Sequence, residues 1–335
     1  MMPRTRSRVY AMAVAIAVIV ASARAGAQGT SGADAVPLWA FPGSSPDLPG
    51  AKPPFDTVML LRVPHSARAF TMAQAKDYFA PPDWFPASHA RMPESVAHGK
   101  PGKVWACGYC HLPDGQGRAE NATLAGLPEY YIVSEVLAMR ARTRQSAVAG
   151  WSPSARMTNA ADSVAEGDLA EAARYFSRMW AKPRYKVVER AVVPATYEAG
   201  GLYAVRPGGT TEALGHRIIE VTEDLERHEL RDPTTTFLAY VPPGSIAAGR
   251  RIATKVTTKG VAACVKCHGP GLRGIGAVPP LAGRSPTYLF RQLYGFKSGH
   301  RAGVASVPMQ APASALGIDD MIAVAAYAGS LRPTR

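Results

Sequence analysis

The hydrophobic and polar positions divide the chain into unlike stretches. Residues 9–22 are an apolar run of Ala, Val and Ile, preceded by Arg4, Arg6 and Arg8 and followed by Ala25-Gly26-Ala27. A basic head, a short apolar middle and an A-x-A site predict a secretory signal peptide, residues 1–27, cleaved before Gln28. The run is short for a membrane span, and Arg24 interrupts its far end. Residues 28–92 carry ten prolines and are predicted to be extended, wrapping a surface. Segments 166–180 and 319–330 read as helices entered through acidic residues, and 244–255 as a third. Segment 286–297 carries Tyr288, Phe290, Leu293, Tyr294 and Phe296, apolar on most faces, with Tyr130, Tyr131, Val133, Val136 and Leu137 in the corresponding earlier stretch. Alternation at 185–190 and 216–221, with Gly200-Gly201 and Gly208-Gly209 as turns, predicts short strands. The fold class is mainly α, with a β-containing insert and an extended N-terminal segment.

Composition narrows the picture. The 335 residues suggest two domains. With 47% hydrophobic and 19% charged residues, the chain is not disordered, and a single short apolar segment excludes a polytopic membrane protein. The formal charge is +13, and removing the four arginines of residues 1–27 leaves +9. That charge points to an acidic partner. Secretion places the protein in a bacterial periplasm and disfavours nucleic acid as a partner.

The four cysteines carry the chemistry. They stand as Cys107-Gly108-Tyr109-Cys110-His111 and Cys264-Val265-Lys266-Cys267-His268. Cys-x-x-Cys-His is the pattern of covalent c-type haem attachment: two thiols one helical turn apart add to the two vinyl groups, and the adjacent His ligates iron. A thioredoxin-like pair needs no His. A zinc site needs its two pairs about 15–20 residues apart. Two disulfides would leave both histidines without a role. The motif therefore predicts two haem c groups, with His111 and His268 as proximal iron ligands.

The chain also repeats. An offset of 157 relates Cys107 to Cys264, Gly117 to Gly274, Leu124-Ala125-Gly126 to Leu281-Ala282-Gly283, and Tyr131 to Tyr288. Further on the offset is 152, relating Met157 to Met309, Asp168 to Asp320 and Tyr175 to Tyr327. Met157 and Met309 are thus predicted as the sixth iron ligands, each following a small-residue loop (Ser152-Pro153-Ser154 and Val307-Pro308). Met139 falls on Phe296 at offset 157 and reads as packing, and His300 falls on Thr143, which disfavours bis-His ligation. His65, His89, His98, His216 and His228 read as surface or structural residues.

Each repeat resembles a class I c-type cytochrome, and the whole resembles dihaem cytochromes of the cytochrome c4 kind. The resemblance implies tandem cytochrome domains at 93–181 and 244–335, separated by an insert at 182–243 that is longer than the family's link. It also implies that Ala122 and Pro279 offer backbone carbonyls to the proximal histidines, and that Tyr131, Arg284 and Tyr288 are haem-contacting residues. Two closed His/Met sites imply electron transfer rather than catalysis, between respiratory or dehydrogenase partners that are acidic or membrane-bound. A dihaem subunit fixed to a dehydrogenase or oxidase is the alternative, and a dihaem peroxidase, which needs an open iron site, a less favoured one.

Overall fold

A computed structural model describes residues 35–43, 56–255 and 262–333, and Val36–Arg335 forms one compact unit. The expected signal peptide and part of the Pro-rich segment lie outside the described residues. No helix among those described is long and apolar enough to cross a membrane.

The N-terminal segment does more than wrap. It forms a short 3-10 turn at Leu38–Ala40 and helix α1 (Met72–Ala75), which a Thr71–Gln74 capping box closes. Trp84, Val63 and Ala75 pack with Leu230 of the insert into a small core, and the Trp84 indole donates to the Leu230 carbonyl at 2.8 Å. A buried indole N–H needs such an acceptor, and this one ties the segment to the insert.

The first repeat contributes α2 (Glu94–Ala97), α3 (Cys107–His111), α4 (Glu129–Arg140), α5 (Ser152–Ser163) and α6 (Glu166–Ser177). Val96, Ile132, Ala172, Ala173 and Phe176 form its core. The insert supplies β1 (Tyr185–Glu189), β2 (Val192–Pro194), β3 (Thr196–Glu198), β4 (Tyr203–Val205), β5 (Thr211–Ala213), β6 (Ile219–Thr222), α7 (Leu225–Glu229) and β7 (Phe237–Val241). Five of these strands make a mixed sheet in the order β1-β7-β6-β4-β3, and β2 pairs with β5. The predicted strands at 185–190 and 216–221 correspond to β1 and β6, and both Gly pairs adopt positive φ.

The second repeat contributes α8 (Ser245–Thr254), α9 (Val265–His268), α10 (Pro286–Lys297), α11 (Val307–Ser314) and α12 (Ile318–Ser330). Its core gathers Phe290, Tyr294, Met321, Ile322, Ala325 and Ala326, joined by Ala40, Ile218 and Val241. Helices α8 and α12 pack closely because Gly249 lacks a side chain: a Cβ there would fall 1.9 Å from the Ala323 carbonyl oxygen.

Two stretches differ from expectation. The residues read as loops before Met157 and Met309 are the first turns of α5 and α11. Pro153 and Pro308 sit in those first turns, where a missing N–H breaks no intrahelical bond.

Candidate functional site

The first Cys-x-x-Cys-His run is itself helix α3, so the two thiols lie about one turn apart. Cys107, Cys110 and His111 line a cavity of about 400 Å³, within the range that holds a cofactor. Its walls are largely apolar, with Leu124, Ile132, Val136, Leu169 and Phe176 among them. The His111 imidazole is buried, and its Nδ1 lies 2.8 Å from the Ala122 carbonyl. Nδ1–H therefore donates backward, and the free lone pair is that of Nε2. Burial holds His111 below its ordinary pKa, so the ring is neutral and able to ligate. Burial also pushes the Cys107 thiol up to about 12 and raises Cys110. None of the four cysteines is in a disulfide.

The second run matches this arrangement. Cys264 precedes α9, and His268 Nδ1 lies 2.9 Å from the Pro279 carbonyl. Burial lowers the His268 pKa as well. The turn behind each histidine is the same: Gly117 N–H donates to the His111 carbonyl at 2.8 Å, and Gly274 N–H to the His268 carbonyl at 2.7 Å. These glycines have φ of +69° and +82°, and a Cβ on either would press into backbone, 2.6 Å from the Ala122 oxygen or 2.8 Å from that of Val278. The offset of 157 at these glycines thus has a steric cause.

Two thioethers line the first cavity, Met157 from α5 and Met139 from α4. Met139, read as packing, also contacts Met157's neighbours in a small cluster around Val136, Ala161 and Leu169. Met309 lies on α11, half-buried. Two half-buried thiols, a neutral imidazole held from behind and a thioether on one apolar cavity suit a covalent haem. The second run supplies two thiols and an imidazole of the same kind, with Cys267 exposed.

Tyr131 lines the first cavity, and burial raises its hydroxyl to about 12. Tyr288 lines that same cavity, although it belongs to the second repeat. Arg284 is placed differently from a cofactor contact. Its guanidinium donates to the carbonyls of Pro280 (2.7 Å), Thr123 (2.6 Å) and Ala125 (3.2 Å), which ties the two repeats together. Its expected contact with haem therefore competes with three backbone bonds already made.

A polar cluster between the repeats was missed at the sequence level. Arg144 donates to Glu135 at 2.6 Å, to Gln292 at 3.0 Å and to the Tyr288 hydroxyl at 3.4 Å. Arg301 donates to Gln292 at 3.1 Å and to Glu135. Burial opposes ionisation of Glu135, but the two guanidiniums outweigh it and hold the carboxyl below its usual pKa. Arg144 and Arg301 stand at offset 157, as do Glu135 and Gln292, so the repeat arithmetic pairs these positions without showing that they meet.

No protein-family model matches the chain. It is 27% identical to cytochrome c4 of Azotobacter vinelandii over 231 residues, covering 68% of this chain and 84% of that protein. It is 30% identical to the thiosulfate dehydrogenase electron acceptor of Stutzerimonas stutzeri over 148 residues, covering 41% of this chain and 67% of that protein. The chain belongs to the dihaem class I c-type cytochromes and resembles cytochrome c4. Among solved structures, this cytochrome is similar to a thiosulfate dehydrogenase (TsdBA) from Marichromatium purpuratum, at 27% identity and a TM-score of 0.46, with 70% of this chain and 38% of that chain covered. It is also similar to cytochrome c4 from Pseudomonas stutzeri, at 22% identity and a TM-score of 0.45, covering 68% of this chain and 93% of that one. The cytochrome carries two covalently bound c-type haems with iron and transfers electrons.

Proposed function

We propose that the protein is a periplasmic dihaem cytochrome in which two tandem class I domains, 93–181 and 244–335, each hold one haem and pass electrons between respiratory or dehydrogenase partners. Cys107 and Cys110 hold the first haem and Cys264 and Cys267 the second. His111 and Met157 ligate one iron, His268 and Met309 the other. The observation that carries this reading is the meeting of Cys107, Cys110, His111 and Met157 on one apolar cavity. When bound, the haem supplies one-electron chemistry at iron. The chain's own contributions are distinct. Ala122 and Pro279 orient the imidazoles, the apolar walls exclude water, and Met157 and Met309 would each offer a thioether to iron.

The relatives named as electron acceptors of thiosulfate dehydrogenase support a dehydrogenase as donor, whether this chain is a free shuttle or a bound subunit. The charge distribution supports an acidic partner at the second domain. Residues 93–181 hold nine basic and nine acidic side chains, whereas 244–335 hold twelve basic and two acidic. Lys255, Lys266 and Arg273 are exposed, as is Cys267.

Visible spectra of the oxidised and reduced holoprotein, with and without carbon monoxide, test the ligation. The expected result is two low-spin haems, a weak red band from Met–ferric iron ligation, and no change with carbon monoxide. Met157→Ala and Met309→Ala each open one site to carbon monoxide, and Met139→Leu opens neither. A high-spin or carbon monoxide-binding haem in the unaltered protein would overturn the reading in favour of a peroxidase.

A further inference from the structure

Where the insert sheet packs onto the repeats, its inner face holds polar groups with unmet atoms. Glu220 on β6 is 4% exposed. Its Oε2 accepts from the Ser285 hydroxyl at 2.8 Å, and Ser285 in turn caps α10 by accepting from the Tyr288 N–H at 3.0 Å. Glu220 Oε1 meets no partner among the described residues, and neither does the hydroxyl of Tyr185, at the start of β1. The fields of both Glu220 and Glu120 act on that hydroxyl. Glu120 lines the first cavity together with Cys107, His111 and Met157. One of its oxygens is held by Arg118 at 2.9 Å, and the other stands 3.5 Å from Nε2 of the buried His228. Tyr288 and Arg291 line the same cavity, so the Ser285 hydroxyl, bonded to Glu220 and to the Tyr288 N–H, sets Glu220 directly behind the cavity wall.

The groups facing Glu220 do not pair with it as an ion. From α10 come the Ser285 and Thr287 hydroxyls and Arg291, whose guanidinium donates to the Ala40 carbonyl at 3.0 Å and lies 4.8 Å from the Trp151 ring centre. From β1 comes the neutral Tyr185, with Arg184 beside it. From β7 the strand partner is Ala239. An unpaired carboxyl in such a place balances burial, which favours the acid, against hydrogen bonds and the helix N-terminus, which favour the anion. Buried polar atoms with unmet bonds, here Glu220 Oε1 and the Tyr185 hydroxyl, are also the setting that internal water occupies, and such water carries protons.

We propose that Glu220 is a proton acceptor coupled to the cytochrome's reduction, so that the protein takes up a proton from solvent as it takes up an electron. This rests on the electron-carrier reading. A one-electron donor protein supplies the electron, and iron passes from ferric to ferrous. Bulk water supplies the proton, which converts the Glu220 carboxylate to the neutral acid, and reoxidation releases both. The coupling is electrostatic. A negative charge added on the cavity side disfavours a second negative charge at Glu220, and by reciprocity a protonated Glu220 favours reduction. Burial raises the Glu220 carboxyl to about 7, so it titrates where the coupling would be felt.

The test reduces the holoprotein electrochemically in weakly buffered solution, following the haem bands and a pH indicator together. Infrared difference spectra follow the carboxyl groups. The expected result is a fraction of one proton taken up per molecule, largest near the pKa of about 7, with a protonated carboxyl band that appears on reduction. In Glu220→Gln the electrons still enter, while that uptake and that band are lost. In Glu220→Asp the band returns at a shifted position. Equal uptake in Glu220→Gln and the unaltered protein, or no carboxyl band, would overturn the proposal and leave the electron-carrier reading standing. If neither haem accepts an electron, both fall.

Discussion

At the scale of single residues, burial decides what each titratable group contributes. Glu220 is raised from 4.5 to about 7, chiefly by burial. The native protein therefore holds a proton that the unfolded chain has released. Its contribution to stability is fully present below the ordinary Glu pKa and is lost as pH rises through about 7. The loss is about 3 kcal/mol at most. Thermal melts from pH 4 to pH 9 should show stability falling between about pH 4.5 and 7 and level above it, with a flatter profile in Glu220→Gln. An unchanged profile would mean that Glu220 is ionised throughout. The residues of the Cys-x-x-Cys-His runs were legible in sequence because their geometry is local, one turn of helix. The Glu135–Arg144–Arg301 cluster was not, because its members meet only when the two repeats pack together.

At the scale of elements, helix contacts depend on small residues at particular crossings. Gly249 lets α8 approach α12. Ala at this position improves helix propensity by about 1 kcal/mol but drives a methyl group into the Ala323 carbonyl. The net expected effect of Gly249→Ala is destabilisation by roughly 2 kcal/mol, read as a lower urea midpoint. A raised midpoint would show that α8 can move away without cost. Helix α10 was readable from sequence because aromatic residues mark it over its full length of 12 residues. Helices α5 and α11 were not, because an early proline signals a turn as readily as a helix start. The contribution of the N-terminal segment was hidden for a different reason: Trp84 finds its acceptor at Leu230, 146 residues away.

At the scale of the whole molecule, charge is unevenly distributed. The balanced first repeat and the strongly basic second one predict that an anionic oxidant is drawn to the second domain. Stopped-flow oxidation by ferricyanide should therefore slow as ionic strength rises. Lys255→Glu combined with Arg273→Glu should slow the more salt-sensitive phase by about tenfold, the scale of modest electrostatic steering. Arg178→Glu, on the first repeat, should leave that phase nearly unchanged. Equal effects from both sets would assign the attraction to overall charge rather than to one face.

The seam between the repeats has a consequence of another kind. Arg144 and Arg301 are bridged to each other, and each reaches across to a residue of the opposite repeat. Such a contact has the form of a two-fold dimer interface, in which one patch meets its own copy. Here both copies lie on one chain, so the folded insert between them makes their meeting intramolecular and independent of dilution. Two free subunits meeting through so small a polar patch would separate on dilution. Joined in one chain, they remain side by side however scarce the protein is, so a step from one haem to the other would be first order at any abundance.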